Sequence, residues 1–300
     1  MVDITLLTKR AFFNPINPDW YINNVLLEDQ LLMDALQKEG MLVARNYWDN
    51  TELQFDQTKA IVFRAIWDYF DRYQEFAPWL ASVDNKCQLI NPIDTIQWNI
   101  HKGYLKILES KGINIPPTIF IDPGQSKSLQ DWCAISGWNR FVLKPAIAGG
   151  GRHTHCFTIS DAHLHEPLFN QLKGSETWLL QEYQHQITSK GEATHVLFGG
   201  NYSHSVLKRA KRGDFRVQDD YGGTVHNYTA TSEEIGFAEK VIAEVTPTPV
   251  YARVDVMWDN RDQLCLAELE LIEPELWLRN SSTAAQMMAK AIAAQMKTSA

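Results

Sequence analysis

The sequence predicts an α/β unit built on a parallel sheet at the N-terminal end, with α+β structure from there to the last residue. Two observations carry this prediction. As far as residue 97, short apolar runs alternate with segments of helical periodicity, and strand–helix alternation builds parallel sheets. From Trp98 onward, helices and strands come in a mixed order. The 300 residues suffice for about two domains with a sizeable core.

The elements follow in chain order. Ile4–Thr8 reads as a short apolar strand, followed by a loop rich in Asn and Pro. From Trp20 to Glu39 the apolar residues Val25, Leu26, Met33 and Leu36 recur at helical spacing, and Gly40 supplies a C-terminal stop. Ala60–Arg64 is the next buried strand, then come an aromatic-rich helical stretch from Trp67 to Trp79 and a strand at Gln88–Ile90. Beyond it the pattern predicts a helix over 98–111, a strand over 117–121, a helix near 127–136, a strand carrying Lys144, a helix over 161–172, and strands to about 209. After a Gly222-Gly223 turn come a helix over 232–245, two further strands, and a helix of small residues from Ser282 to Met296. There is no internal repeat and no low-complexity linker.

The last two strands carry the most informative residues. Tyr251–Met257 holds Asp255, and Leu264–Glu273 holds Glu268 and Glu270 within otherwise apolar runs. Side chains two apart on a strand share a face, so Glu268 and Glu270 point the same way, and pairing of the two strands would bring Asp255 alongside. Acids are depleted from strands, and such a group repels itself unless a cation sits in it. Hard oxygen ligands suit Mg²⁺ (or Mn²⁺), held by carboxylates together with substrate phosphates. A solvated acidic sheet face is the alternative.

A hundred residues upstream, Phe141–Arg152 reads as a strand, a lysine and a glycine loop. Gly149, Gly150 and Gly151 let the backbone approach a phosphate and turn several N–H groups towards it, while Lys144 adds positive charge. The spacing is neither the P-loop nor the dinucleotide fingerprint, and alone it is equally a mobile surface loop. With the acids downstream it reads as a phosphate clamp facing a metal.

These residues resemble the ATP-grasp ligases, and the likeness runs from about Trp98 to the end. Trp98–Leu105 followed by Gly112-Ile-Asn-Ile-Pro-Pro-Thr118 is similar to the family's first lysine and the turn after its helix, which puts Lys102 in that lysine's place. Lys144 then stands as the second lysine. Trp178–Tyr183 resembles the hinge that meets adenine and ribose, with Gln181, Glu182 and Tyr183 falling there. Gly191–Gly200 and Ser203–Arg209 resemble the hairpin leading to basic residues near the phosphates, which carries across Glu192, Lys208 and Arg216. The likeness is closest to a bacterial branch that includes the cycloserine-forming ligase, through Phe63–Tyr69, Gly213–Gln218 and Glu268–Glu275. Where most of the family has Glu-x-Asn on the last metal strand, this chain has Glu270 in the asparagine place.

The resemblance implies an ATP-grasp fold: residues 1–97 as a Rossmann-like substrate domain, 98–182 as the lid and central subdomain, and 183–300 as the C-terminal subdomain with the metal site. It implies ATP and Mg²⁺ as cofactors. It also implies a carboxylate–amine ligase in which a small amino-acid-like substrate's carboxylate attacks the γ-phosphate, and the acylphosphate is captured by an amine. Lys102, Lys144 and Lys208 would hold phosphate oxygens, Asp255, Glu268 and Glu270 the metal, and Arg216 the transferring group. Arg64, Trp67 and Glu273 are candidate substrate residues. Arg64 and Trp67 follow a strand of the parallel sheet, where ligands collect. Arg64 could clamp a carboxylate or form a buried ion pair with Asp68. A small-molecule kinase and a non-catalytic nucleotide-binding scaffold are the rivals, and a homodimer is a further expectation from the family.

Composition narrows the partners. A net charge of −8 argues against nucleic acid, and the 45% apolar share argues against disorder. Cys87, Cys133, Cys156 and Cys265 lack metal or redox spacing and read as reduced thiols. No run reaches the ~20 apolar residues of a membrane span and no leader pattern opens the sequence, so the expectation is a cytoplasmic protein with no membrane partner. His153, His155, His163 and His165 have a tempting zinc spacing but lack the further ligands a zinc site needs. No motif for a covalent nucleophile is found.

Overall fold

The computed structural model describes residues 1–84 and 86–298. The N-terminal unit comprises β1 (Val2–Thr8), α1 (Trp20–Lys38), β2 (Val43–Tyr47), β3 (Thr58–Phe63), α2 (Tyr73–Asp84) and β4 (Gln88–Ile90). Its sheet has the order β2-β1-β3-β4, parallel throughout. Asp19 caps α1 by accepting from the Ile22 N–H, and the helix stops before Gly40, whose φ of +85° ends it without a Cβ penalty. The strand β2 was not expected. Its five residues are all half-buried and read Val-Ala-Arg-Asn-Tyr, so an edge position leaves no apolar alternation to detect.

The chain continues through α3 (Ile93–Ile100), α4 (Tyr104–Ser110), β5 (Thr118–Ile121), α5 (Leu129–Ser136), β6 (Arg140–Pro145), β7 (His155–Thr158), α6 (Ala162–Leu172) and β8 (Trp178–Glu182). The single helix expected over 98–111 is two. Between them the Lys102 N–H donates to the Ala146 carbonyl and the Gly103 N–H to His101 Nδ1, so the helical ladder is broken at the lysine itself. Strands β5, β8, β6 and β7 form an antiparallel sheet covered by α5 and α6, with Phe141, Phe157, Phe169 and Trp178 in its core.

The last part holds α7 (Gln186–Ser189), β9 (Glu192–Phe198), β10 (Asn201–Arg209), β11 (Thr224–Tyr228), α8 (Ser232–Ala243), β12 (Tyr251–Trp258), β13 (Leu264–Glu270) and α9 (Ala284–Thr298). Its antiparallel sheet runs β11-β10-β9-β12-β13. One apolar core joins Ile4, Leu6 and Val62 of the parallel sheet, Leu32 and Leu36 of α1, Val196 and Tyr251 of the antiparallel sheet, and Met288 and Ile292 of α9. That shared core fixes the parallel sheet against the five-stranded antiparallel one. Among the described residues, no helix is long and apolar enough to cross a membrane.

Candidate active site

A cavity of about 470 Å³ lies where the three sheets meet, within the usual range for small-molecule sites. The antiparallel pairing of β12 and β13 sets Asp255 opposite Glu268 and Arg253 opposite Glu270. Val254 and Val256 face the other way, into the core, so alternation alone turns the charged residues of β12 to one side. On the neighbouring strands Thr194 stands beside Asp255 and Glu192 beside Lys208. The result is a charged face bearing Glu192, Lys208, Arg253, Asp255, Glu268 and Glu270.

These groups pair closely. Lys208 Nζ lies 2.5 Å from Glu192 and 3.1 Å from Asp255. Arg253 donates to Asp255 through Nε and Nη2, the latter at 2.8 Å, and also to Glu270. The Thr194 hydroxyl donates to Asp255 at 2.6 Å, and Lys102 Nζ lies 2.9 Å from Glu268. Burial opposes ionisation of Asp255, but Arg253 and Lys208 outweigh it and hold that carboxyl below its ordinary value. Glu268 is lowered against its burial by Lys102 and Lys144. Glu270 is pushed up to about 7 by burial, with Glu268 and Asp255 adding to the rise against the pull of Arg253.

One carboxylate oxygen from each of Asp255, Glu268 and Glu270 lies within 4.8 Å of the other two. Three hard oxygen donors at that spacing fit a divalent cation of the Mg²⁺ type, and the side chains of Arg253 and Lys102 already show positive charge seated among them. Among the described residues no other group of His, Cys, Asp and Glu is so gathered. His155 and His165 lie tilted at 4.8 Å between centroids, and among the described residues no carboxylate or thiol joins them to complete a zinc site.

The opposite wall is the hairpin of β6 and β7. Lys144 faces the cavity from β6, its pKa lowered by burial. In the loop beyond it, Gly150 and Gly151 have φ of +53° and +72°, and a Cβ on Gly149 would lie 2.5 Å from the Phe70 ring. Glycine is required at all three. The loop is held by Tyr221, whose hydroxyl donates to the Gly150 carbonyl at 3.1 Å, and by Arg152, which pairs bidentately with Glu176 at 2.8 and 2.9 Å. Arg216 stacks on the Tyr221 ring at 3.9 Å and pairs with Asp214 at 2.8 Å.

The residues singled out in the sequence therefore sort by position. Lys102, Lys144, Gly149, Gly150, Gly151, Gln181, Glu182, Tyr183, Glu192, Lys208, Arg216, Glu268, Glu270, Trp67 and Glu273 line the cavity. Asp255 lies immediately behind the wall, fully engaged. Arg64 does not line it: the side chain is 4% exposed and bonds Asp29 of α1 at 3.2 Å, which corrects its placement as a substrate clamp. Nor does it pair with Asp68, which accepts from Trp48 at 2.9 Å and from Arg72. Arg253 and Trp277 were missed. The position of Arg253 two residues before Asp255 was a readable signal, because it shares that strand face. Trp277 sits at φ +45° under Lys208 and Arg253, at 5.8 and 5.4 Å, and no local pattern announces it.

A charged antiparallel sheet carrying the acids, a second sheet carrying a lysine and a glycine loop, and a cavity between them are the arrangement of the ATP-grasp fold. Such proteins use ATP with Mg²⁺. Residues 4–91 match a family model described as the D-cycloserine synthetase DcsG, N-terminal domain. The chain is 27% identical over 288 residues to the cycloserine biosynthesis protein DcsG of Streptomyces lavendulae, covering 89% of this chain and 93% of that one. The crystal structure of D-cycloserine synthetase DcsG superposes with a TM-score of 0.84 at 23% identity, over 98% of this chain and 99% of that one. The ATP-grasp ligase PsnB, solved with a phosphomimetic variant of its minimal precursor, Mg and ADP, superposes with a TM-score of 0.62 at 11% identity, over 98% and 99%. The chain thus has an ATP-grasp fold and is similar over most of its length to D-cycloserine synthetase DcsG.

Proposed function

We propose that the protein is an ATP-dependent carboxylate–amine ligase acting on a small amino-acid-like substrate through an acylphosphate. The observation that supports this best is the convergence of Lys102, Lys144, Lys208, the glycine loop, Glu268 and Glu270 on one cavity, with Asp255 gathered beside the two glutamates just behind its wall. Phosphoryl transfer needs little beyond position and charge, and this wall supplies both without a side-chain nucleophile. The ligation activity of the cycloserine-forming relative agrees with it.

In this reading Asp255, Glu268 and Glu270 hold Mg²⁺, which neutralises charge building on the phosphates when bound. Lys102 and Lys144 both line the cavity and hold phosphate oxygens. A substrate carboxylate oxygen forms a bond to the γ-phosphorus as the bond to ADP breaks. The amine nitrogen then bonds the acyl carbon, phosphate departs, and the amine loses a proton. Lys208 helps Arg253 keep Asp255 ionised and pairs with Glu192, while Arg216 in the cavity lining steadies the transferring group. Gln181, Glu182 and Tyr183 at the end of β8 take the adenosine.

The test is ADP release from Mg-ATP with pooled carboxylic acids, amino acids and amines, run beside Glu268→Gln. Release that requires both an acid and an amine, and that falls at least about 100-fold in the variant, supports the ligase. Tight ATP binding with no pool-dependent release would sink it.

A further inference from the structure

We propose that Glu273 and Lys9 select the amine substrate, and that this substrate is a zwitterionic 2-amino acid with its amine at Glu273 and its carboxylate at Lys9. The inference rests on the ligase reading above and names the residues that would give it specificity.

Glu273 follows β13 by three residues, is 8% exposed, and lines the cavity. Its carboxylate has no cation within 4 Å and no hydrogen bond to another residue among the described residues. Its acidic neighbours differ: Glu268 pairs with Lys102, Glu270 with Arg253, and Glu275 with Arg279 at 2.8 Å. A buried carboxylate is unfavourable unless something neutralises it. The two cations that act on it, Lys102 and Arg253, are already engaged by Glu268 and by Asp255 and Glu270, so the complementary charge is left to a ligand.

The surroundings specify what that ligand looks like. The Trp67 indole N–H donates to the Glu273 carbonyl at 2.8 Å. Trp67 in turn packs edge-on against Phe12 at 5.8 Å and tilted against Tyr21 at 6.0 Å. In the same aromatic cluster Lys9 Nζ stands 4.1 Å from the Phe12 centroid, lines the same cavity, and has no carboxylate within 4 Å among the described residues, Asp68 and Asp71 acting on it from farther away. An acid and a base thus line one cavity beside the same aromatic cluster, complementary to a molecule carrying both charges. Glu273 is the end beside Glu270 and Lys102, so the amine end faces the phosphate-binding wall.

The experiment uses the full chain saturated with Mg-AMPPNP and calorimetric titration of matched probes. These are D- and L-alanine against D- and L-lactate, and D- and L-serine against D- and L-glycerate, each pair differing only in ammonium against hydroxyl. The expected result is that at least one amino acid binds and its hydroxy acid binds at least 10-fold more weakly. Glu273→Gln and Lys9→Met should each weaken the amino acid at least 10-fold, while AMPPNP affinity, which also reports folding, stays within 2-fold. Equal binding of amino and hydroxy acids, no binding of any probe, or unchanged affinity in Glu273→Gln would overturn the inference. Failure of AMPPNP itself to bind the unaltered protein would instead strike at the ligase reading.

Discussion

Lys208 and Asp255 meet at 3.1 Å although their strands are not neighbours: β9 runs between β10 and β12, and the lysine reaches across it. Both residues are buried, at 4% and 2% exposure. Thr194 on the intervening strand donates to the same carboxylate, so three strands are tied at one charged point.

That arrangement predicts that Asp255→Asn is a stability variant as well as an active-site one. Removing the charge leaves Lys208 with Glu192 alone and Arg253 with Glu270 alone, all in a desolvated wall. The loss should be about 3–5 kcal/mol, as for breaking one partner of a buried pair. Urea unfolding followed by tryptophan fluorescence measures it, and a loss below about 1 kcal/mol, the level of an exposed pair, would contradict it.

Arg64→Leu should separate structure from substrate binding. The guanidinium bonds Asp29 away from the cavity, and Asp29 keeps Arg45 at 2.6 Å when it is gone. Expected are a stability loss of about 3 kcal/mol and an AMPPNP affinity changed by less than about 0.5 kcal/mol, since the sites share no partner. A tenfold drop in AMPPNP affinity would show that Arg64 is coupled to the site after all.

The glycine loop carries a steric prediction. A Cβ at Gly149 would stand 2.5 Å from Phe70 Cε1, so Gly149→Ala must move either the loop or the ring. The variant should lose about 1–3 kcal/mol and bind AMPPNP more weakly. Gly149→Ala with Phe70→Leu should recover part of both losses, because the two positions are in contact and their effects cannot add. Strict additivity in the double-mutant cycle would show that the ring is not the obstacle.

His195 gives a pH prediction remote from the chemistry. Burial pushes its pKa down to about 4, its Nδ1 shares a hydrogen bond at 2.8 Å with the Ser205 hydroxyl, and its Nε2 has no partner among the described residues. The unfolded chain takes up this proton near pH 6.5 and the folded one only near 4, so stability is complete above about 6.5 and declines as pH falls towards 4. The decline attributable to this one group is roughly 3 kcal/mol. His195→Phe leaves the Ser205 hydroxyl with Tyr202 at 2.9 Å and should flatten that acid limb in urea midpoints taken from pH 7.5 to 4.5. An unchanged slope would contradict the assignment.

What was legible in the sequence, and what was not, has a physical explanation. The acids of β12 and β13 stood out because charge within an apolar strand is rare, and their facing follows from the two-residue period. Lys144 and the three glycines were legible because a positive-φ loop has to be written in glycine. The break at Lys102 was hidden because it depends on the Ala146 carbonyl, 44 residues away in the chain. Arg64 was misplaced because a strand-end arginine looks the same whether its acid lies on a ligand or on α1. Glu273 appeared in the sequence only as one more acid, and its lack of a cation is visible only once its neighbours' partners are known.

The most direct test of the central claim follows oxygen rather than product. Once the pools have identified the acid and amine, the acid is labelled with ¹⁸O in its carboxylate and the released phosphate is examined by mass spectrometry. An acylphosphate intermediate predicts one carboxylate oxygen in each phosphate, formed together with the amide. Unlabelled phosphate, or a stable phosphoester with none released, would contradict the ligase account.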